Sequence, residues 1–198
     1  ALRLAWTGSN WSADGDLFVY LETGASGTTD TFNPHLPTTT TVSLPDGMAA
    51  DKLVWVRDED HALLMTWDVV SGTWAFQTPL GPSAYLFRAG LRGRQAGLLL
   101  PFSLLGISDP ESAALRLAAF ATEEDAFQVW AALPNVNPVS SARATREETS
   151  AGEGHDLVMT HSYHWDALGA GVCPNGSDAP EPSRAFLDTD LRAELRVD

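Results

Sequence analysis

The stretch "WSADGDLFVYLETG", residues 11–24, decides how the chain is read. Two aspartates around a glycine lead into "LFVYLE", where Leu17, Val19 and Leu21 alternate with Phe18, Tyr20 and Glu22. A six-residue apolar run of period two, opened by a polar turn and closed by Thr23-Gly24, predicts a β-strand. The same signature recurs outward along the chain: "LRLAWT" (2–7), "TTVSL" (40–44), "KLVWVR" (52–57), "ALLMTW" (62–67), "TWAFQT" (73–78) and "AYLFR" (84–88). It continues in "AGLLLP" (96–101), "ALRLAAFA" (114–121) and "FQVWAAL" (127–133). "VVSGTW" (69–74) reads as a hairpin loop turned by Gly72, and "PFSLLG" (101–106) as a short helical turn between a proline start and a glycine stop. Many short strands at close spacing predict an all-β fold, an antiparallel β-sandwich of jelly-roll type with one short helical turn.

With 198 residues, the chain is long enough for one domain with a full core. Against 26 acidic residues stand 12 basic ones, a net charge of −14, which repels phosphate backbones and sets nucleic acid aside as a partner. No apolar run approaches the ~18 residues of a membrane helix. Cys173 is the single cysteine, so no internal disulfide forms. Two N-x-S sequons, at Asn10 and Asn175, fit export, and an opening on "ALRLAW" without Met suggests a mature or excised segment. The expected location is extracellular or at the cell surface.

Beyond residue 138 the alternation loosens. "SSARATREETSAGEGHD" (140–156) is expected to be a surface loop, and "LVMTHSYHW" (157–165) a last run that closes the sandwich. "CPNGSDAPEPS" (173–183) has linker composition, after which "RAFLDTDLRAELRVD" (184–198) regains alternation. The organisation expected is a sandwich over 1–172, a linker over 173–183 and a trailing strand over 184–198. With Leu191, Leu195 and Val197 on one face, that strand is expected to pair with a neighbouring domain or another copy of the chain.

The order of these pieces resembles the family 9 carbohydrate-binding modules and the wider DOMON-like sandwiches. "DGDLFVYLETG" is similar to their acidic-pair strand, with Glu22 where Asp is usual. "AGLLLPFSLLGI" (96–107) is similar to their strand, proline and helical turn, with Phe102 and Leu104 in place of the usual Trp and Asp. "LRLAAFATEED" (115–125) resembles the strand that follows. "DLRAELRVD" (190–198) resembles the opening strand of Ig-like repeats in large bacterial surface proteins. The resemblance implies a modular surface protein, and a group whose members bind sugars or haem or serve as surface modules. A haem site needs axial Met and His ligands, and nothing in the sequence marks Met48, Met65 or Met159 as one.

Three acidic clusters flank strands: Asp14 and Asp16, Asp58 to Asp60, and Glu123 to Asp125. If the later strands run antiparallel to 17–22, all three lie at one end of the sandwich. Asp14, Asp16, Asp58, Asp60, Glu123 and Asp125 are then candidate ligands of a structural Ca²⁺, which takes about six to eight oxygens at roughly 2.3–2.6 Å. The alternative is that acidic turns simply solvate strand ends. Trp11, Trp74 and Trp165 are the candidate exposed aromatics for a saccharide. His155, His161, His164 and Asp166 form a metal-like group, but positions 161 and 164 of a strand point to opposite faces. No nucleophile motif accompanies them, and the chain is not expected to be an enzyme. Two functions compete: a structural or assembly module joined to neighbours by its C-terminal strand, and a module that recognises a polysaccharide through exposed Trp.

Overall fold

The computed structural model describes residues 1–7, 16–24, 26–32, 42–57, 61–90, 93–122, 129–134, 136–137, 157–166, 169–174 and 194–197. Fourteen strands are found among them: β1 (Leu2–Thr7), β2 (Leu17–Glu22), β3 (Val42–Ser43), β4 (Lys52–Val56), β5 (Ala62–Asp68), β6 (Thr73–Leu80) and β7 (Tyr85–Gly90). They continue as β8 (Gly93–Leu100), β9 (Leu115–Thr122), β10 (Val129–Leu133), β11 (Leu157–Val158), β12 (His161–Asp166), β13 (Gly169–Pro174) and β14 (Glu194–Val197). The protein is all-β, with no helix among the described residues. The stretch expected as a helical turn is a set of overlapping turns: Leu104 N–H donates to the Pro101 carbonyl and Leu105 N–H to that of Phe102. Gly106 ends them with φ 75°. At the expected hairpin, Gly72 takes φ 64° and its N–H donates to the Asp68 carbonyl.

Two antiparallel sheets form the sandwich. The smaller runs β14-β1-β8-β7, and the larger β13-β12-β9-β2-β4-β5-β6, with β10 also paired to β9. Register sets which side chains meet. Leu2 and Leu4 lie opposite Leu100 and Leu98, and these four leucines of the smaller sheet are all buried. They pack on Leu17, Val19, Leu21, Val54, Leu64, Leu117 and Ala119 of the larger sheet. The half-buried Phe102, Tyr163 and Trp165 border this first core.

The opposite face of the larger sheet is buried too. Phe18, Tyr20, Leu53, Met65, Ala118 and Phe120 form a second core, covered by Val42, Leu44, Met48 and Ala50, by Val129 and Ala132 of β10, and by Leu157 and Met159. β3 and β11 pair in parallel within this cover. Strands buried on both faces need apolar residues at odd and even positions alike, as "LFVYL" and "LAAFA" supply. Gly27 serves the same layer, because a side chain there would overlap the Ala49 carbonyl. Met48, Met65 and Met159 are all completely buried in this second core.

Tyr20 gives the second core a pH signature. Its hydroxyl oxygen accepts the Phe32 N–H at 2.9 Å. Burial pushes its phenol well above the ordinary value of 10.0, and the Phe32 bond offsets this only in part. Burial raises Tyr163 as well. A phenol of raised pKa keeps its proton in the fold while the unfolded chain has lost it, so folding stability is intact below about pH 10 and falls above it. Thermal scans from about pH 8 to pH 11 should show a loss that begins near pH 10. Tyr20→Phe should lower the baseline by about 1 kcal/mol through the orphaned Phe32 N–H, and make the alkaline fall shallower.

Two boundaries differ from the sequence reading. The expected linker begins too early, because Cys173 and Pro174 belong to β13, paired with Ser162 and His161. Two glycines and a proline weaken the strand signal of "GAGVCP", yet the ladder to β12 holds it, with Pro174 at the strand end where proline is tolerated. The trailing strand does not lie outside the sandwich. β14 runs antiparallel to β1 of its own chain, with Leu2 opposite Val197, Leu4 opposite Leu195 and Arg3 opposite Arg196. Positions 195 and 197 are thus in register with the core leucines Leu4 and Leu2. Residues 175–193, Leu191 among them, lie outside the described residues.

Candidate functional site

The sheet register tests the geometric premise behind the acidic clusters. Leu17 lies opposite both Val56 and Ala121, so the start of β2 and the ends of β4 and β9 occupy one end of the larger sheet. The three acidic segments of the sequence are thus attached to strand ends at one end of the sheet. Asp16 is buried rather than solvated, at 2% exposure, and its carbonyl accepts the Thr122 N–H at 2.9 Å. Asp14, Asp58, Asp60, Glu123 and Asp125 lie outside the described residues. Among the described residues no group of three or more His, Cys, Asp or Glu side chains is placed to hold a metal ion.

Of the three candidate tryptophans, Trp11 lies outside the described residues. Trp165 is half-buried against the first core. Trp74 sits on β6, edge-on to Tyr20 at 5.7 Å and to its cross-strand partner Trp67 at 5.6 Å, and its indole N–H donates to the Asp30 carbonyl. The Trp67–Trp74 pair is half-buried, so it is partly open beside the β5–β6 hairpin.

Polar chemistry concentrates in a row around Arg116, which the sequence reading did not single out, and His164 and Asp166 of the expected metal-like group belong to it. Arg116 is opposite Glu22 on one side and His164 on the other. Its Nε donates to the Ser162 hydroxyl at 3.3 Å, and one terminal nitrogen donates to the Gly47 carbonyl at 2.6 Å and lies 3.9 Å from the Glu22 carboxylate. Glu22 in turn accepts the Ala49 N–H. His164 Nε2 meets the Asp166 carboxylate at 3.1 Å, while its Nδ1 is buried with no hydrogen-bond partner among the described residues. His161, on the other face as strand parity requires, hydrogen-bonds the Thr160 hydroxyl.

Serine, histidine and aspartate alternate along one strand. Residues 162 and 164 are about 6.8 Å apart along the strand. The Ser162 hydroxyl is held by Arg116, and the histidine is turned to Asp166. The row therefore works as a clamp that fastens the 47–49 segment to three strands. A lone Arg within "ALRLAAFA" is the signal that could have revealed it, since a buried guanidinium needs built partners. Two further buried groups do similar work. Asp51 accepts both the N–H and the hydroxyl of Thr23, at 2.6 and 2.7 Å. Asn137 binds two backbone segments at once, Pro134 on one and Thr160 and His161 on the other.

Comparisons with protein-family models, with curated proteins and with solved structures return no match.

Proposed function

We propose that this chain is a non-catalytic structural module of an extracellular or cell-surface protein, joined to neighbours by strand addition at the β1 edge. The observation behind the reading is the β14–β1 ladder: a four-residue strand, following a segment of linker composition, pairs with β1 of its own chain and forms the edge of the smaller sheet, so a joint to a neighbour requires that strand to be exchanged. Strand addition delivers backbone hydrogen bonds with specificity from alternate side chains, which suits a joint. The resemblance to modular surface domains, the buried clamp built from Arg116, and the acidic surface fit a scaffold. Sizing the full chain and one lacking residues 184–198 tests it. Self-association or binding to an adjoining domain that disappears on truncation is the expected result, and association unchanged by truncation overturns it.

A structural Ca²⁺ at the acidic end belongs to the same proposal, supported by the shared origin of the three loops. An ion that binds only the native state stabilises it by mass action. Calcium at about a hundredfold excess over its Kd should raise the melting temperature by roughly 5–10 °C relative to chelator. Superimposable scans would remove the ion from the account.

Polysaccharide binding is the second reading, favoured by the partly open Trp67–Trp74 pair. It predicts a shift in tryptophan fluorescence with a soluble glycan that Trp74→Ala abolishes. A flat response across a broad panel counts against it.

A further inference from the structure

We infer that β14 is exchangeable between copies, so that the strand closing the smaller sheet in one molecule can be supplied by a second copy of the same chain. This rests on the structural-module reading and names the partner at its joint.

Four features lead there. First, β1 cannot be left bare, because Leu2 and Leu4 are buried core residues whose backbone would become an open edge. Second, the strand that covers it is only four residues long and has β1 as its one ladder partner among the described residues. Third, the register sets position 196, an arginine, opposite the exposed Arg3, so the sequence supplies no opposite-charge pair at that rung of the ladder. Fourth, the sequence between Pro174 and Glu194 can span roughly 60 Å if extended, far enough for β14 to leave its own sheet.

The ladder is the same whether β14 comes from its own chain or from another, so exchange forfeits no contact. What separates the two states is the effective concentration set by the connection. A tether of about this many residues sets it in the millimolar range. Dilute chains therefore close on themselves, and chains crowded on a surface trade strands. A reciprocal trade gives a closed two-fold dimer, and a one-way trade continues head to tail.

The test uses the full-length chain with its one cysteine removed (Cys173→Ser). Arg3→Cys, Arg196→Cys and the double variant are then made; directly opposed strand residues are close enough for a disulfide. At micromolar concentration the oxidised double variant should be an internally linked monomer. The two single variants, mixed at about 1 mM, the range at which tethered and free strands compete, should yield a covalent heterodimer. It should exceed the dimers formed by either variant alone by about tenfold, and the excess should vanish on dilution before oxidation. If the double variant links internally while the mixture gives no excess at any concentration, the strand is fixed in its own chain and the inference is overturned. Absence of the internal link would overturn it as well, because the register itself would be wrong. Neither result touches a joint to an adjoining domain, which the truncation experiment reads separately.

Discussion

Phe120→Ala is expected to lower folding stability by about 3–5 kcal/mol, the largest effect of any single change considered. Phe120 is 3% exposed and stacks on Phe18 at 4.9 Å and on Tyr20 at 5.9 Å. It lies on the outer face of the larger sheet, which a two-layer sandwich would leave open to water. If that face were solvated, truncating the ring would cost well under 1 kcal/mol, as surface changes do. Val70, 97% exposed at the β5–β6 hairpin tip, is the internal control, and Val70→Ala should be neutral within about 0.5 kcal/mol. Chemical denaturation of the two variants checks both values. Equal stabilities would mean that residues 42–50 and 157–159 do not cover this face.

Asn137→Ala should cost about 2–4 kcal/mol although it removes few atoms. The Asn137 amide oxygen accepts the backbone N–H groups of Thr160 and His161 at 2.7 and 2.9 Å, and its NH₂ donates to the carbonyls of Pro134 and His161. Alanine leaves both backbone donors without acceptors at a site only 4% exposed. The start of β12 would lose its anchor to the segment after β10. Asn137→Asp keeps the acceptor but sets a carboxylate oxygen against two carbonyls, so it should also destabilise, and less so when protonated in mild acid. A loss below 1 kcal/mol for alanine would show that this hub is not what fixes β12.

The strands were legible because period-two patterning marks a strand wherever it packs. The second core was legible only in the apolar residues at odd and even positions alike of "LFVYL" and "LAAFA", which mark strands buried on both faces without saying what covers them. Here the cover is largely irregular chain carrying two-residue strands, too short to announce themselves. β13 stayed hidden behind its glycines and proline. The tail shows the limit most clearly: "ELRV" announces a strand that needs an edge, and Leu195 and Val197 announce the face. Whose edge it takes depends on Leu2 and Leu4 at the far end of the chain. At the site level, the shared end of the sheet for the start of β2 and the ends of β4 and β9 followed from strand direction alone, since antiparallel neighbours end where their partner begins. Arg116 was visible as a charge in an apolar run. Asn137 was not, because "PNVNP" reads as an ordinary turn.

The central claim is that residues 194–197 add to the β1 edge, and native-state hydrogen exchange on the full chain tests it most directly. In dilute, monomeric protein the amides of 194–197 should exchange at least about tenfold more slowly than in a free peptide of the same sequence, the least expected of a paired edge strand. Leu195→Asp should abolish that protection and speed exchange in residues 2–5, while leaving β2 and β9 unaffected. Residues 194–197 exchanging at the free-peptide rate, with β1 indifferent to the substitution, would contradict the account.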